Sequence, residues 1–369
     1  GDPATTEGGK IEWGYYETDS PVLVTANDIA EPGESRMSPS MRELSLEQVL
    51  EPMEKAMALV PLLGELGYED RRSFNGLLSV TADGGSLIGE APEISGLWFA
   101  EAVWVKDGPG VGKVVADWMT KGSPEYDPYG IDIARFYPEQ KQDDYVFGRC
   151  GEIAKKVYTP AVHPREPFET GRQLFKSPFY EREVALGGYF MEAAGWERAH
   201  GYAANEQTLL AKYRDQIPQR MNEWDSRHFW EVSNAEQLAL SDDVGMVNLS
   251  HFAIYDIDGQ SAEPLLEYLA VAKVGGATQV GKGVYTHFLD EKGGIRADLT
   301  IVRLSEDCFR VICGGGTGHR DLVWIKQMAA VRNADIEIHN RTHQLATLGL
   351  WGPNARKVLA SLVDDPNTV

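Results

Sequence analysis

The sequence is poor in cysteine, in positive charge and in long apolar runs. Its three cysteines, Cys150, Cys308 and Cys313, are scattered and form no Cys-x-x-Cys pair. This pattern argues against structural zinc and favours a reducing compartment, so we expect the cytoplasm or, alternatively, the mitochondrial matrix. The formal net charge of −21 argues against nucleic acid and anionic lipid as partners, because both require a basic surface. No apolar run is long enough to cross a bilayer.

Several catalytic signatures are also missing. The chain has no Gly-x-Ser-x-Gly elbow and no His-Glu-x-x-His helix, which argues against a serine hydrolase and a zinc protease. His339 and His343 are four residues apart, but Arg341 and Thr342 between them favour a loop with exposed polar side chains. We therefore predict no metal site. The chain begins Gly-Asp-Pro, without a Met or the parts of a signal peptide. We expect a fragment or a processed product.

Size and pattern favour two folded units with mixed secondary structure. The chain has 369 residues, of which 43% are hydrophobic and 25% charged, and this length suggests two domains. From Glu231 onward, strand, strand and helix signals alternate, which is typical of an α+β fold. We divide the chain into residues 1–150, a connecting region 151–230, and residues 231–369.

The most informative stretch is a hairpin pattern between Tyr285 and Leu304. Tyr285–Leu289 alternates large and polar residues, Leu299–Leu304 is rich in β-branched residues, and a Gly-Gly turn separates the two strands. Asp298 stands at the predicted start of the second strand. Its carboxylate is either solvated at a strand end or held there for chemistry, and the pattern leaves both interpretations open.

A glycine-rich segment, Lys106–Lys113, follows a predicted strand and precedes a predicted helix from Val114. Such a junction presents free backbone N–H groups to an anion. It is not a P-loop, because Asp107 stands where that motif needs Gly and Val114 where it needs Ser or Thr. An ordinary glycine turn without a ligand remains the alternative.

Farther along, Trp196-Glu197-Arg198 allows two interpretations. It is either a functional loop or a place where aromatic side chains wedge two domains together, and the second is preferred.

These segments together resemble a family of flavoenzymes fused to a folate module. The first part resembles the end of an FAD-dependent amine oxidoreductase domain, and the second resembles the start of an aminomethyltransferase (T-protein) domain, in the order of dimethylglycine oxidase, dimethylglycine dehydrogenase and sarcosine dehydrogenase. The matching segments are Phe74–Gly76, Thr81–Gly85, Leu87–Glu90, Trp98–Trp104, Ser177–Phe179, Gly195–Arg198, Gly281–Thr286, Gly293–Thr300 and Leu350–Ala355.

The resemblance implies a two-site enzyme. FAD would take a hydride from an N-methyl group of dimethylglycine or sarcosine, and the one-carbon unit would pass to tetrahydrofolate as a methylene group. Asp298 matches the family's catalytic aspartate, and Tyr285 matches a folate-pocket position. Val105, Lys106, Asp107 and Gly108 match a flavin-contacting loop. The electron acceptor implied is oxygen or an electron-transfer flavoprotein.

The sequence also departs from the family pattern. Asn248 stands where relatives usually have Asp, and Gly314 stands where a folate-contacting Asn is usual. The flavin domain's N-terminal fingerprint, the histidine that carries covalent FAD in several relatives, and the later Glu and Arg positions of the folate module are missing. We therefore expect the rest of the polypeptide or a partner chain to complete both sites. Two alternatives stay open: a one-carbon transferase without oxidase activity, and a non-catalytic folate-fold binding or regulatory subunit.

Overall fold

The computed structural model describes residues 11–16, 23–24, 29, 40–67, 73–157, 167–221, 229–275 and 278–369. The helices are α1 (Leu46–Leu59), α2 (Leu62–Leu66), α3 (Gly108–Lys121), α4 (Asp143–Val157), α5 (Tyr180–Ala185), α6 (Ala211–Tyr213), α7 (Trp230–Asp242), α8 (Ala262–Leu269), α9 (Gly318–Val331) and α10 (Ala355–Ala360). The strands are β1 (Met41–Glu43), β2 (Phe74–Gly76), β3 (Leu87–Glu90), β4 (Trp98–Glu101), β5 (Gly188–Ala193), β6 (Trp196–Tyr202), β7 (Gly245–Asn248), β8 (Ala253–Asp258), β9 (Gly283–Leu289), β10 (Ile295–Arg303), β11 (Cys308–Cys313), β12 (Glu337–Asn340) and β13 (Leu348–Trp351). None of the helices in these ranges is long and apolar enough to cross a membrane.

The largest sheet has five antiparallel strands in the order β12-β8-β11-β10-β9. One face carries buried apolar residues at every second position, such as Leu299 and Ile301 on β10 and Val311 on β11. Helices α8 and α9 pack on this face through Leu265, Leu266 and Ile325 among others. Helices gathered on one face of an antiparallel sheet make this an α+β fold, which confirms the fold class that the sequence predicts.

The opposite face of the sheet is polar. Asp256 on β8 is buried and accepts hydrogen bonds from Arg310 Nε and Nη2 at 2.8 and 3.0 Å and from Arg341 Nε at 3.1 Å. These guanidinium groups hold the pKa of Asp256 below its usual value, although burial opposes the effect. Tyr285, His287 and Asp298 belong to the same face at its β9–β10 edge. The sheet thus presents charged and aromatic groups instead of a second apolar layer.

The N-terminal half contains a small β3–β4 hairpin covered by α3. Trp118 of α3 makes an edge contact with Trp98 at 5.7 Å between ring centroids. Gly89 has a φ of +113°, and a Cβ there would lie 2.9 Å from the Trp118 ring. Glycine is required at this position both by its backbone angle and by the close approach of the indole.

A cluster of aromatic residues joins the segment before residue 177 to the five-stranded unit. Trp196 is 3% exposed and forms a small core with Tyr137 and Phe175. The Trp196 ring also stacks on His343 at 5.3 Å. Tyr137 Oη donates to the carbonyl of Gly315 at 2.6 Å. Trp196 therefore packs between these two parts of the chain, in agreement with the packing role preferred for it in the sequence analysis.

We expect Gly318→Ala to lower the free energy of unfolding by about 1–3 kcal/mol, because overpacking forces neighbouring groups apart. Gly318 begins α9, and a Cβ there would collide with Ala253 Cβ and Tyr137 Oη, both at this junction. Urea unfolding measures the change. Gly316→Ala is the matched control, because a Cβ at Gly316 meets nothing within 4 Å. Equal stability of the two variants would contradict the close packing described here.

Candidate functional site

The hairpin β9–β10 brings Tyr285 and Asp298 together. Tyr285 Oη donates to Asp298 Oδ2 at 3.0 Å, and His287 Nε2 lies 3.4 Å from the same hydroxyl. Asp298 pairs with His287 across the two strands, and Tyr285 is the diagonal neighbour opposite Thr300. Tyr285 is 61% exposed, and Asp298 is also exposed. The pair is therefore preformed and open to a ligand.

Asp298 lies inside a strand and not at its start, so that part of the sequence prediction was wrong. Strand β10 begins at Ile295, and Asp298 is its fourth residue. The strand starts earlier than predicted because Ile295 already pairs with Leu289. The pairing is irregular between Ile295 and Ala297 and is regular from Ala297 onward. Mid-strand placement fixes the direction of the carboxylate, because Ala297 and Leu299 on either side are buried in the core.

The geometry suits recognition of a neutral amine beside an aromatic ring. An ionised carboxylate accepts a hydrogen bond from an amine N–H and favours positive charge that develops on that nitrogen. The exposed phenol ring offers a flat surface on which another ring can pack. The hydrogen bond to Asp298, together with a smaller effect of desolvation, raises the pKa of Tyr285.

This coupling gives a titration test. The Asp298 carboxylate stabilises the neutral phenol, so replacing it with the uncharged amide in Asp298→Asn should lower the pKa of Tyr285 towards its ordinary value of about 10. NMR of ring-labelled tyrosine, assigned with Tyr285→Phe, follows this single group. An unchanged Tyr285 pKa in the Asn variant would mean that the two side chains are not coupled in solution.

Of the four residues matched to a flavin loop, Val105, Lys106 and Asp107 form a turn and Gly108 begins α3. Val105 is 97% exposed, and Lys106 Nζ lies 2.8 Å from both carboxylate oxygens of Asp107. The N–H groups of Asp107 and Gly108 donate to the Trp104 carbonyl at 2.8 and 3.1 Å. These two N–H groups are therefore not free to bind a phosphate. The segment can offer side-chain contacts to a flavin. Its one cation, Lys106, is largely neutralised by Asp107.

The predicted glycine loop does not exist as a loop, so that prediction was wrong. Helix α3 already begins at Gly108, and Gly110 and Gly112 lie within it. Pro109 suits the first turn of a helix because it has no N–H to leave unpaired. Each interior glycine disfavours the helix by about 1 kcal/mol. Burial of Val111 and packing of Trp118 on the β3–β4 hairpin offset this cost.

The stretch Trp196-Glu197-Arg198 is the start of strand β6, not a loop. Glu197 is buried and holds Arg172 through Nε at 2.8 Å and Nη2 at 2.5 Å. Arg198 instead faces an open cavity of about 590 Å³ between β6, α7 and β7. The sequence motif singled out Arg198, but no sequence signal marks the helical residues Glu183 and Glu236 that share the cavity.

The structure explains one of the two departures from the family pattern. Asn248 Nδ2 donates to Ser177 Oγ at 2.7 Å and to Glu183 Oε2 at 3.0 Å. An aspartate would place a second carboxylate against Glu183, so an amide is matched to this position. The glycine at position 314 has no comparable structural explanation, because a Cβ there would meet only Thr317 Oγ1 at 3.6 Å. Among the residues that the structure describes, no group of three His, Cys, Asp or Glu residues has metal-binding geometry.

The chain combines an α+β module with a preceding segment, and each of the two matches a known family. Residues 179–368 match the family described as GCVT N-terminal domain, which is just over half of the chain. Residues 121–177 match the FAD dependent oxidoreductase central domain. The chain belongs to the GCVT N-terminal domain family and carries the two modules in the order that the resemblance implies.

Three curated relatives illustrate the range of proteins that share this arrangement. The chain is 30% identical to 4-methylaminobutanoate oxidase (formaldehyde-forming) from Paenarthrobacter nicotinovorans, over 84% of this chain and 36% of that protein. It is 27% identical to mitochondrial dimethylglycine dehydrogenase from Rattus norvegicus, over 96% and 40%. It is 28% identical to the mitochondrial pyruvate dehydrogenase phosphatase regulatory subunit from Mus musculus, over 78% and 32%. The chain thus spans between 32% and 40% of their length.

Proposed function

We propose that the intact protein oxidatively demethylates a small N-methylated amino acid with FAD and passes the one-carbon unit to tetrahydrofolate. The observation that carries this proposal is the hydrogen-bonded Tyr285–Asp298 pair on the open face of the GCVT module. The flavoprotein segment directly before that module and the two oxidoreductase relatives support it. Dimethylglycine and sarcosine are the proposed substrates.

The chain's own residues have defined tasks in this proposal. Asp298 accepts a hydrogen bond from a folate nitrogen and stabilises positive charge on it during transfer. Tyr285 packs against the pterin or benzoyl ring and keeps the Asp298 carboxylate oriented through its hydroxyl. Val105, Lys106, Asp107 and Gly108, at the start of α3, would contact the flavin. Bound FAD supplies the hydride acceptor, and tetrahydrofolate supplies the nucleophilic nitrogen.

A spectrum of the intact protein tests the oxidoreductase half. Bound flavin absorbs at about 450 nm, and this band should bleach when dimethylglycine or sarcosine is added without oxygen. A flavin band that bleaches with neither amine would overturn the proposed substrates. A protein purified without flavin that cannot be loaded with it, but that still transfers one-carbon units, would support the transferase without oxidase activity.

A second candidate is a non-catalytic binding or regulatory subunit. Two observations favour it: Gly314 replaces a usual folate-contacting Asn without any steric need, and one relative is named as a regulatory subunit. Calorimetry with tetrahydrofolate on the intact protein distinguishes the two. Tight binding without turnover of either amine would favour the regulatory role, whereas turnover would exclude it.

A further inference from the structure

The polar face of the five-stranded sheet holds two arginines that share one carboxylate. Arg310 donates from Nε and Nη2 to the two oxygens of Asp256, and Arg341 Nε donates to the same carboxylate. One positive charge is therefore uncompensated within this group of three. Arg310 Nη1 and Arg341 Nη2 form no hydrogen bond with any residue that the structure describes. These two nitrogens can donate to a further anion, because a guanidinium group favours carboxylates and phosphates.

The two arginines are accessible to a ligand although Asp256 is buried. The side chains of Arg310 and Arg341 are 27% and 37% exposed, whereas that of Asp256 is 8% exposed. Asp258 and Glu337 pair across β8 and β12 on the side of this group that is away from Asp298. An anion that lies between Asp298 and the arginines therefore keeps its distance from these two carboxylates.

The strand register places the arginines on the same face as Asp298. Asp298 and Val302 are four residues apart on β10, so their side chains share a face, and Val302 pairs with Arg310 on β11. Four residues along a strand and one step between strands separate the Cα atoms of Asp298 and Arg310 by about 14 Å. Thr300 and Ile312 pair with each other in the row between them, and both are half-buried.

This spacing suits the length of tetrahydrofolate. A benzoyl ring and an amide lie between its reacting nitrogens and its glutamate carboxylates, a span of about 10 Å by ordinary bond lengths. The side chains of Asp298 and Arg310 can bridge the remaining distance. Thr300 and Ile312 offer methyl groups on which the benzoyl ring can pack. A free phosphate would use the arginines without this spacing or this intervening surface.

We propose that Arg310 and Arg341 bind the glutamate carboxylates of tetrahydrofolate while Asp298 holds a folate nitrogen. The inference rests on the proposed one-carbon transfer, because it requires folate at Asp298. It adds a second point of recognition for the same ligand. Contacts at both ends fix the position of the folate along the sheet.

Calorimetry of the intact protein with two ligands tests this tail site. One ligand is tetrahydrofolate, and the other is its diamide, in which both glutamate carboxylates are neutral amides. Wild-type protein should bind tetrahydrofolate about 10-fold or more tightly than the diamide, as expected for hydrogen bonds between charged groups. Arg310→Gln should lose most of this preference, while Arg341 still pairs with Asp256. Arg332→Gln is the matched control and should keep the preference, because Arg332 is exposed at the end of α9, on the helix-covered side of the sheet.

The outcomes separate this inference from the proposed function. Equal binding of both ligands to the wild-type protein, or an undiminished preference in Arg310→Gln, would overturn the tail site and leave the role of Asp298 intact. Failure of both ligands to bind would overturn both proposals. The wild-type comparison needs no variant, so misfolding of Arg310→Gln could not hide a negative result.

Discussion

Arg149→Met should lower the free energy of unfolding by about 3–5 kcal/mol, because it leaves a buried carboxylate without its counter-charge. Arg149 is 2% exposed, and its Nη1 donates to Glu192 Oε2 at 2.7 Å. Its Nη2 donates to the Thr170 carbonyl at 2.7 Å, and the guanidinium lies 3.9 Å from the centre of the Phe168 ring. One side chain thus connects α4, β5 and the segment before Phe175.

Urea unfolding at pH 7 measures this effect, and two controls show its cause. The double variant Arg149→Met with Glu192→Gln should regain part of the loss, because no buried charge remains unpaired. Lys121→Met breaks an exposed pair with Asp117 and should leave the unfolding midpoint unchanged. If Arg149→Met were as stable as the wild-type protein, the buried pair would not hold this region together.

The largest expected effect on activity is that of Asp298→Asn. The rate of one-carbon transfer to tetrahydrofolate should fall about 10²- to 10⁴-fold, the usual contribution of a positioned acid–base group. Flavin reduction by the amine should be unchanged, because Asp298 lies on the folate-type module. Anaerobic stopped-flow spectroscopy follows the flavin, and rapid-quench analysis of the folate product follows the transfer.

The hairpin offers a matched control for this variant. Glu291→Gln removes the same charge from an exposed position in the turn between β9 and β10, and both rates should stay at the wild-type level. Transfer at the normal rate in Asp298→Asn would show that Asp298 is only a solvated strand residue. Equal loss in both variants would point to the overall charge of the hairpin instead.

The sequence was most informative where the period of a local pattern matches the secondary structure. The alternation in Tyr285–Leu289 correctly predicts strand β9, although polar Thr286 is buried beside Phe288 and large Tyr285 is exposed. Tyr285 and Asp298 lie on the same face of the hairpin because side chains alternate between the two faces along each strand. The two modules and their order also come from sequence, through family resemblance, which the family matches confirm.

Local pattern failed where distant contacts decide the structure. Glycines predict a loop at Gly108–Gly112, yet packing of Trp118 on the β3–β4 hairpin makes the segment helical. The cavity at Arg198 depends on Glu183 and Glu236, which lie 15 residues before and 38 residues after it in the chain. Only tertiary folding brings those charges to one cavity, so no spacing rule could have revealed them.

The most direct test of the coupled two-site proposal traces one carbon atom. The intact protein, supplied with flavin, tetrahydrofolate and dimethylglycine labelled with ¹³C in its N-methyl groups, should reduce the flavin and place the label in the methylene group of the folate product, as followed by ¹³C NMR. Label released only as free formaldehyde in the presence of tetrahydrofolate would contradict the coupling assigned to Tyr285 and Asp298.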